Sequence, residues 1–151
     1  MPPIIVNKIP VPRPKKDAMP ANIQNKPNND IVKSWLPVLV FMGLIFYASS
    51  IPGSNIPSLF TFQDVAFHLS VYLMLAFFFS RALRNTYPGI SVSKIILITV
   101  LFGVFYGMTD EFHQLFVPLR TCSGLDLFVD GMGSVIGSLI FVKLSIRATN
   151  D

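Results

Sequence analysis

The apolar positions of the chain fall into four runs, at residues 35–50, 65–80, 95–107 and 127–144. A bilayer core of roughly 30 Å takes about 20 helical residues, so flanking polar residues must extend most of these runs into spanning helices. Short core helices of a soluble bundle are the alternative. Such helices need polar outer faces, whereas residues 36–47 carry no charge. The pattern predicts an all-α integral membrane bundle of four transmembrane helices.

Turn residues and charges mark the ends of these predicted helices. Asp64 stands where helix two begins, and we expect it to cap that helix. The glycine pairs Gly103/Gly107 and Gly133/Gly137 are expected to let neighbouring helices approach closely. The predicted helix bounds are about 34–49, 64–84, 93–114 and 126–143.

The first 33 residues differ in composition from the rest. They hold seven of the twelve prolines and six of the twelve Lys and Arg residues. Proline removes backbone donors, and the segment has little apolar surface to bury, so we predict a disordered basic arm. A polyproline ligand at residues 10–14 is possible, although a solvated tail is the simpler interpretation. The predicted divisions are this cytoplasmic arm (1–33), a membrane domain (34–145) and a cytoplasmic tail (146–151).

The charge pattern predicts the orientation of the helices. Short loops rich in Lys and Arg lie on the cytoplasmic side. Eleven of the twelve Lys and Arg residues precede helix one, follow helix four or lie between helices two and three, and only Arg120 lies in the other two loops. Both termini are therefore expected in the cytoplasm. The net charge of +4 reflects this distribution, and no nucleic-acid partner is expected. The single Cys122 excludes an internal disulfide and a cysteine-based metal site.

Polar side chains gather at three helix ends that this topology puts on the outer side. On helix two they recur every four residues and so share one face. Ionisable groups in or near hydrocarbon are costly unless they are paired or hydrated, so we expect the set to surround one outward-facing cavity. Five of the eight acidic residues belong to the set, which is Asp64, His68, Tyr72, Asp110, Glu111, His113, Gln114, Arg120, Asp126 and Asp130.

Three functional interpretations fit this set. In a hydrolase or transferase, Glu111 is the first choice as general base, His68 would be the acid or orienting partner, and Asp110 is a further catalytic candidate. Arg120 could hold a phosphate or carboxylate of the substrate. The expected substrate-binding residues are Arg120, Gln114, Asp64, Asp126, Asp130 and Tyr72.

The other two interpretations have less support from the residues. His68 and the carboxylates suffice in number for a metal site, but no His-x-x-x-His or His-Glu-x-x-His spacing is present, so no metal and no cofactor is assigned. A transporter needs polar groups deeper in the helices, and residues 73–79, 95–101 and 136–142 are nearly all apolar. A purely structural role also stays open, in which Asp64 and Asp126 cap helices and Arg120 neutralises a carboxylate.

The polar and glycine positions form two extended motifs, Tyr106-x-x-x-Asp110-Glu111-x-x-Gln114-x-Phe116-x-Pro118-x-Arg120 and Asp126-x-x-x-Asp130-x-x-Gly133-x-x-x-Gly137. Ser49-Ser50 and Asp64-x-x-x-His68-x-x-x-Tyr72 precede them. Over about residues 35–143, these motifs together resemble the VanZ-like family. Two positions depart from the family pattern: Val65 stands where a Lys often follows the aspartate, and Leu119 where a Gly commonly precedes the arginine.

The resemblance implies a protein of the bacterial cytoplasmic membrane. The founding member of the family is associated with low-level teicoplanin resistance at the cell surface. Some members have been labelled phosphotransbutyrylases, but nothing in this chain resembles a nucleotide or coenzyme A site. We therefore expect an outward-facing site that acts on or binds a lipid head group or a cell-wall precursor. The alternatives are a non-catalytic binding or shielding protein and a small transporter-like protein.

Overall fold

A computed structural model describes residues 28–150, with side chains for residues 30–148. These residues form four α-helices: α1 (Asn28–Ser49), α2 (Gln63–Thr86), α3 (Val92–Gln114) and α4 (Gly124–Asn150). A short 3-10 helix (Gly53–Asn55) lies between α1 and α2, and no strand occurs in the described part of the chain. All four α-helices are long and apolar enough to cross a membrane. The predicted all-α bundle of four membrane helices is confirmed.

Two helix ends differ from their predicted positions. α1 is described from Asn28, six residues before its predicted start at Ser34, so the change in overall composition does not mark the start of the helix. The rest of the predicted arm lies outside the described residues. α4 continues to Asn150 rather than ending near Lys143, since no Gly or Pro interrupts residues 138–151. The predicted tail is thus largely a continuation of α4.

The predicted capping roles of the aspartates are wrong in detail. Asp64 lies in the first turn of α2, but the N-cap residue is Phe62, and no side chain caps this helix. Gln63 instead holds the preceding loop: its Oε1 accepts a hydrogen bond from Leu59 N at 2.7 Å, and its Nε2 donates to Pro57 O at 3.0 Å. At the start of α4, Ser123 Oγ accepts a hydrogen bond from Asp126 N at 3.3 Å.

Small residues let α4 pack closely against α2 and α3. A Cβ atom at Gly133 would lie 2.8 Å from Leu69 O of α2. Gly107 of α3 leaves room for Asp130 of α4, because a Cβ there would lie 2.7 Å from Asp130 Oδ2. Close approach at Gly103, Gly107, Gly133 and Gly137, predicted from their spacing, is confirmed. This packing brings Asp130 into the interior of the bundle.

The large apolar side chains face outward as well as inward. Val38 and Ile45 of α1 pack with Leu75 and Phe79 of α2 in a small core. Many other large apolar side chains are half or more exposed on α1, α3 and α4, and Phe67 of α2 is 48% exposed. A water-exposed surface of this kind is unfavourable, whereas a lipid-exposed one is the normal state of a membrane helix. The protein is a multi-pass membrane protein.

The helices run alternately up and down, so the α1–α2 and α3–α4 connections meet at one end of the bundle, here called the site end. Gly53 N donates a hydrogen bond to Pro118 O at 3.0 Å, which joins the two connections. At the opposite end, Asn85 Nδ2 donates to Ser34 Oγ at 2.9 Å. The starts of α2 and α4 and the end of α3, which carry the predicted polar set, all lie at the site end.

Candidate functional site

The centre of the site is a contact between α2 and α4. His68 Nδ1 lies 2.9 Å from Asp130 Oδ1, and their relative exposures are only 6% and 0%. Tyr72, one turn further along α2, is fully buried, and its ring lies parallel to the His68 imidazole with centroids 6.3 Å apart. A carboxylate in this position fixes the orientation of an imidazole ring. The predicted grouping of His68, Tyr72 and Asp130 is therefore present in the structure.

α3 contributes three more buried polar side chains, Asp110, Glu111 and Gln114. Gln114 Nε2 donates to Asp110 Oδ2 at 3.4 Å. Glu111 Oε2 accepts a short hydrogen bond of 2.6 Å from the backbone N–H of Ser123, in the α3–α4 connection. A carboxylate that accepts a backbone N–H is held in one orientation. Glu111 thus ties the end of α3 to the start of α4.

Arg120 joins the α3–α4 connection to the end of α1. Its Nη2 donates to Ala48 O at 2.9 Å and its Nε donates to Ile51 O at 3.2 Å. The last carbonyls of a helix lack intrahelical partners, and a cation is favoured there. The guanidinium therefore stabilises the end of α1, and no carboxylate of residues 28–150 forms an ion pair with it.

A cavity of about 460 Å³ lies between α1, α2 and the end of α3. One part of its wall is apolar and comes from α1, α2 and the α1–α2 connection; the other part is polar. A second cavity of about 280 Å³ borders the same region and is lined by Asp64, His68, Gln114, Arg120 and Asp126 among others. The polar side chains of the larger cavity are Ser49, Gln63, Asp64, His68, Ser70, Tyr72, Asp110, Gln114 and Arg120. Its apolar wall includes Ile45, Ile51, Ile56, Leu59, Phe60, Phe67 and Val71.

Three predicted residues lie away from the cavity walls. Glu111 and Asp130 are buried beside His68 and line neither cavity. His113 lies against α1, where its ring stacks on Phe46 with centroids 4.6 Å apart and its Nε2 lies 3.0 Å from Ser50 Oγ. His113 therefore belongs to the α1–α3 packing.

Some groups that form the site cannot be recognised from the sequence. The N–H of Ser123 and the carbonyls of Ala48 and Ile51 are backbone groups, so their side chains do not reveal them. The apolar wall at Ile56 to Phe60 can be recognised in the sequence, because the α1–α2 connection carries no charge and includes Ile51, Ile56, Leu59, Phe60 and Phe62. That composition is typical of a segment in contact with lipid or with an apolar ligand.

Comparison with protein families agrees with these motifs. The model of the VanZ/LLP1 family matches residues 32–146. The chain belongs to the VanZ-like family. The predicted resemblance, over about residues 35–143, is thereby confirmed. Comparison with curated proteins gave no match, and comparison with solved structures gave none either.

Leu119, one of the two departures from the VanZ-like pattern, has a left-handed backbone conformation. Leu119 has φ 58, one of two positive values among the non-glycine residues that the structure describes. Glycine adopts this left-handed conformation without steric cost, so a glycine would fit this position without strain. Leu119 retains the turn here and is exposed, with its carbonyl oxygen facing Gly53. The turn directs Arg120 toward the end of α1.

His68, Glu111 and Asp130 also come close enough to share a cation. Each offers one donor atom, and these three atoms lie within 4.8 Å of one another. No metal site was predicted from the sequence, because no metal-binding spacing is present in it. The three residues come from three different helices, so they form no such spacing. Among the described residues, this is the one group of three His, Cys, Asp or Glu side chains close enough together to hold a metal ion.

Proposed function

We propose that this VanZ-like protein binds the head group of an anionic envelope lipid or lipid-linked cell-wall precursor at the outer face of the bacterial cytoplasmic membrane. The amphiphilic cavity carries the proposal. Its polar wall suits a head group, while its apolar wall suits the first carbons of an acyl or prenyl chain. Binding of such a component would also account for an effect on teicoplanin susceptibility.

The outward orientation rests on the distribution of cations. Among residues 28–148, the site end carries only Arg120, whereas the opposite end carries Lys33, Arg81, Arg84, Lys94, Lys143 and Arg147. Positive residues mark the cytoplasmic side. The opposite half of the bundle also pairs its buried polar groups internally, as in the 3.0 Å contact between Ser80 Oγ and Thr99 Oγ1. Both observations favour a site open to one side over a transport path.

His68 is the best-placed acid–base group for any reaction of the bound head group. It lines both cavities, and Asp130 fixes its ring. General acid–base catalysis requires a group within hydrogen-bond reach of the substrate, and Glu111, the first choice from the sequence, does not line either cavity. Asp64 and Asp110 are the carboxylates that line the larger cavity, and Asp110 is the buried one of the two. We therefore assign proton transfer to His68, with Asp110 as the second group.

Arg120, Tyr72 and Gln114 would recognise the head group. Arg120 is the one cationic side chain of the described residues that lines the cavities, and a guanidinium binds phosphate or carboxylate oxygens strongly. The Tyr72 hydroxyl is buried without a hydrogen-bond partner, so a ligand could supply one. A protein that only shields the head group would use the same three residues.

Filling the cavity should abolish lipid binding. Ala66 lines the cavity and is exposed, so Ala66→Trp adds bulk there without disturbing the core. We expect native mass spectrometry to show wild-type protein retaining phosphatidylglycerol or a polyprenyl phosphate over phosphatidylcholine, and Ala66→Trp retaining at least about tenfold less. The control is Ala148→Trp, at an exposed position near the end of α4. Equal retention by Ala66→Trp and Ala148→Trp would contradict the proposal.

A further inference from the structure

The buried cluster at the site end has more acidic groups than basic ones. Asp110, Glu111 and Asp130 are all at least 94% buried. Among residues 28–150, the only side chain in a charge-pairing contact with any of them is His68, because Arg120 donates to backbone carbonyls. Buried carboxylates are unfavourable unless they are neutralised. The cluster therefore requires protons or a cation.

The geometry favours a cation. The three donor atoms of His68, Glu111 and Asp130 lie within 4.8 Å of one another. Ligands at about 2.0–2.2 Å from a Zn²⁺ ion stand roughly 3–4 Å apart. Small rotations of the side chains would therefore bring the three donor atoms to the separations that one bound ion requires.

Unpartnered oxygen atoms give a second, independent indication. Each carboxylate has one oxygen held in place: Glu111 Oε2 by Ser123 N–H, and Asp130 Oδ1 by His68 Nδ1. The other oxygens, Glu111 Oε1 and Asp130 Oδ2, are buried and have no hydrogen-bond partner among the described residues. Metal-binding carboxylates are commonly oriented by hydrogen bonds in this way. Unpaired buried acceptors in such a cluster are well suited to a cation.

We propose that His68, Glu111 and Asp130 bind one divalent transition-metal ion, Zn²⁺ or Mn²⁺. One imidazole with two carboxylates is a ligand set that both ions accept, and the two carboxylate charges balance the charge of the ion. Because His68 lines both cavities, the ion can enter from them. When the ion is bound, His68 is its ligand and not a proton donor, and Asp110, which lines the larger cavity, is then the acid–base group. Contact of the ion with an anionic head group depends on the proposed function; metal binding itself does not.

Metal content tests the site without any assay of activity. Full-length protein is purified in detergent, stripped with EDTA, reloaded with Zn²⁺ or Mn²⁺, passed over a desalting column and measured by inductively coupled plasma mass spectrometry. We expect about one equivalent of one of the two ions in the wild type and at least tenfold less in Glu111→Gln. Asp30→Asn, at an exposed acidic residue of the opposite end, should keep the full equivalent.

Thermal unfolding separates loss of the ligand from loss of the fold. The stripped wild type should gain stability when the metal is added, whereas Glu111→Gln should be monodisperse and unresponsive to it. If Glu111→Gln does not fold, Asp130→Asn replaces it. If neither variant folds, the wild type alone decides: no retained metal and no rise in Tm overturns the proposal. Equal metal content in Glu111→Gln and Asp30→Asn overturns it as well, whereas lipid binding lost by Ala66→Trp with metal retained would leave it standing.

Discussion

His68→Ala should be among the most destabilising single substitutions in the site. It leaves Asp130 fully buried and without its 2.9 Å partner. Removal of one member of a buried charged pair costs about 3 kcal/mol of unfolding free energy. Chemical denaturation in detergent, followed by circular dichroism, would measure this loss. Any activity toward the bound head group should disappear as well, since His68 is the proposed acid–base group.

His113→Ala is the matched control, because His113 is the other histidine of the chain and lies at the same end. It is partly exposed and packs on Phe46 and Ser50, so its loss should cost about 1 kcal/mol or less. Equal destabilisation by the two substitutions would show that the His68–Asp130 contact does not organise the site.

Arg120→Ala should give the second large effect. It removes two charged hydrogen bonds to the carbonyls of Ala48 and Ile51, each worth about 1.5–3 kcal/mol when the donor is charged. The end of α1 would then have unpaired carbonyls next to the cavity. Because Arg120 is partly exposed, water can replace part of these bonds, and we expect a loss of about 2 kcal/mol in unfolding free energy. Anionic-lipid binding should be lost as well, and the two effects are measured by denaturation and by native mass spectrometry.

Arg120→Lys and Arg147→Ala complete this comparison. Lysine keeps the charge but lacks the planar fork that reaches both carbonyls, so it should restore only part of the stability. Arg147 is exposed near the end of α4, and its loss should change neither quantity. Full stability and full lipid binding in Arg120→Ala would refute the assigned role.

The fold could be predicted from sequence because its main determinants are local. Apolar runs of spanning length require helices in a bilayer, and the glycine pairs indicated where helices approach. The predicted positions of the helix ends were less accurate. α1 and α4 extend beyond the apolar runs that predicted them. Phe62 takes the N-cap position of α2 with φ 65, a conformation that its residue type does not indicate.

The candidate site could be predicted only in part. Four-residue spacing identified His68 with Tyr72 and Asp126 with Asp130 on common faces. It could not distinguish the roles of neighbours on α3: Glu111 and Gln114 turn into the bundle, whereas His113 turns to α1. That choice depends on where α1 and α4 pack. The partners of Arg120 depend on the turn at Leu119 and are equally non-local.

The proposed binding of an envelope ligand depends most on the direction in which the site end faces. Cys122 is the single cysteine of the chain, is exposed and lies in the α3–α4 connection, so it reports this directly. Intact cells would be treated with a membrane-impermeant maleimide, with Cys122→Ser as the unlabelled control and Cys122→Ser/Ser93→Cys, at an exposed residue near the start of α3, as the opposite reporter. If the site end faces outward, Cys122 is labelled in intact cells and the Ser93→Cys variant only after permeabilisation. The reverse result would place the cavity in the cytoplasm and contradict the proposed envelope ligand.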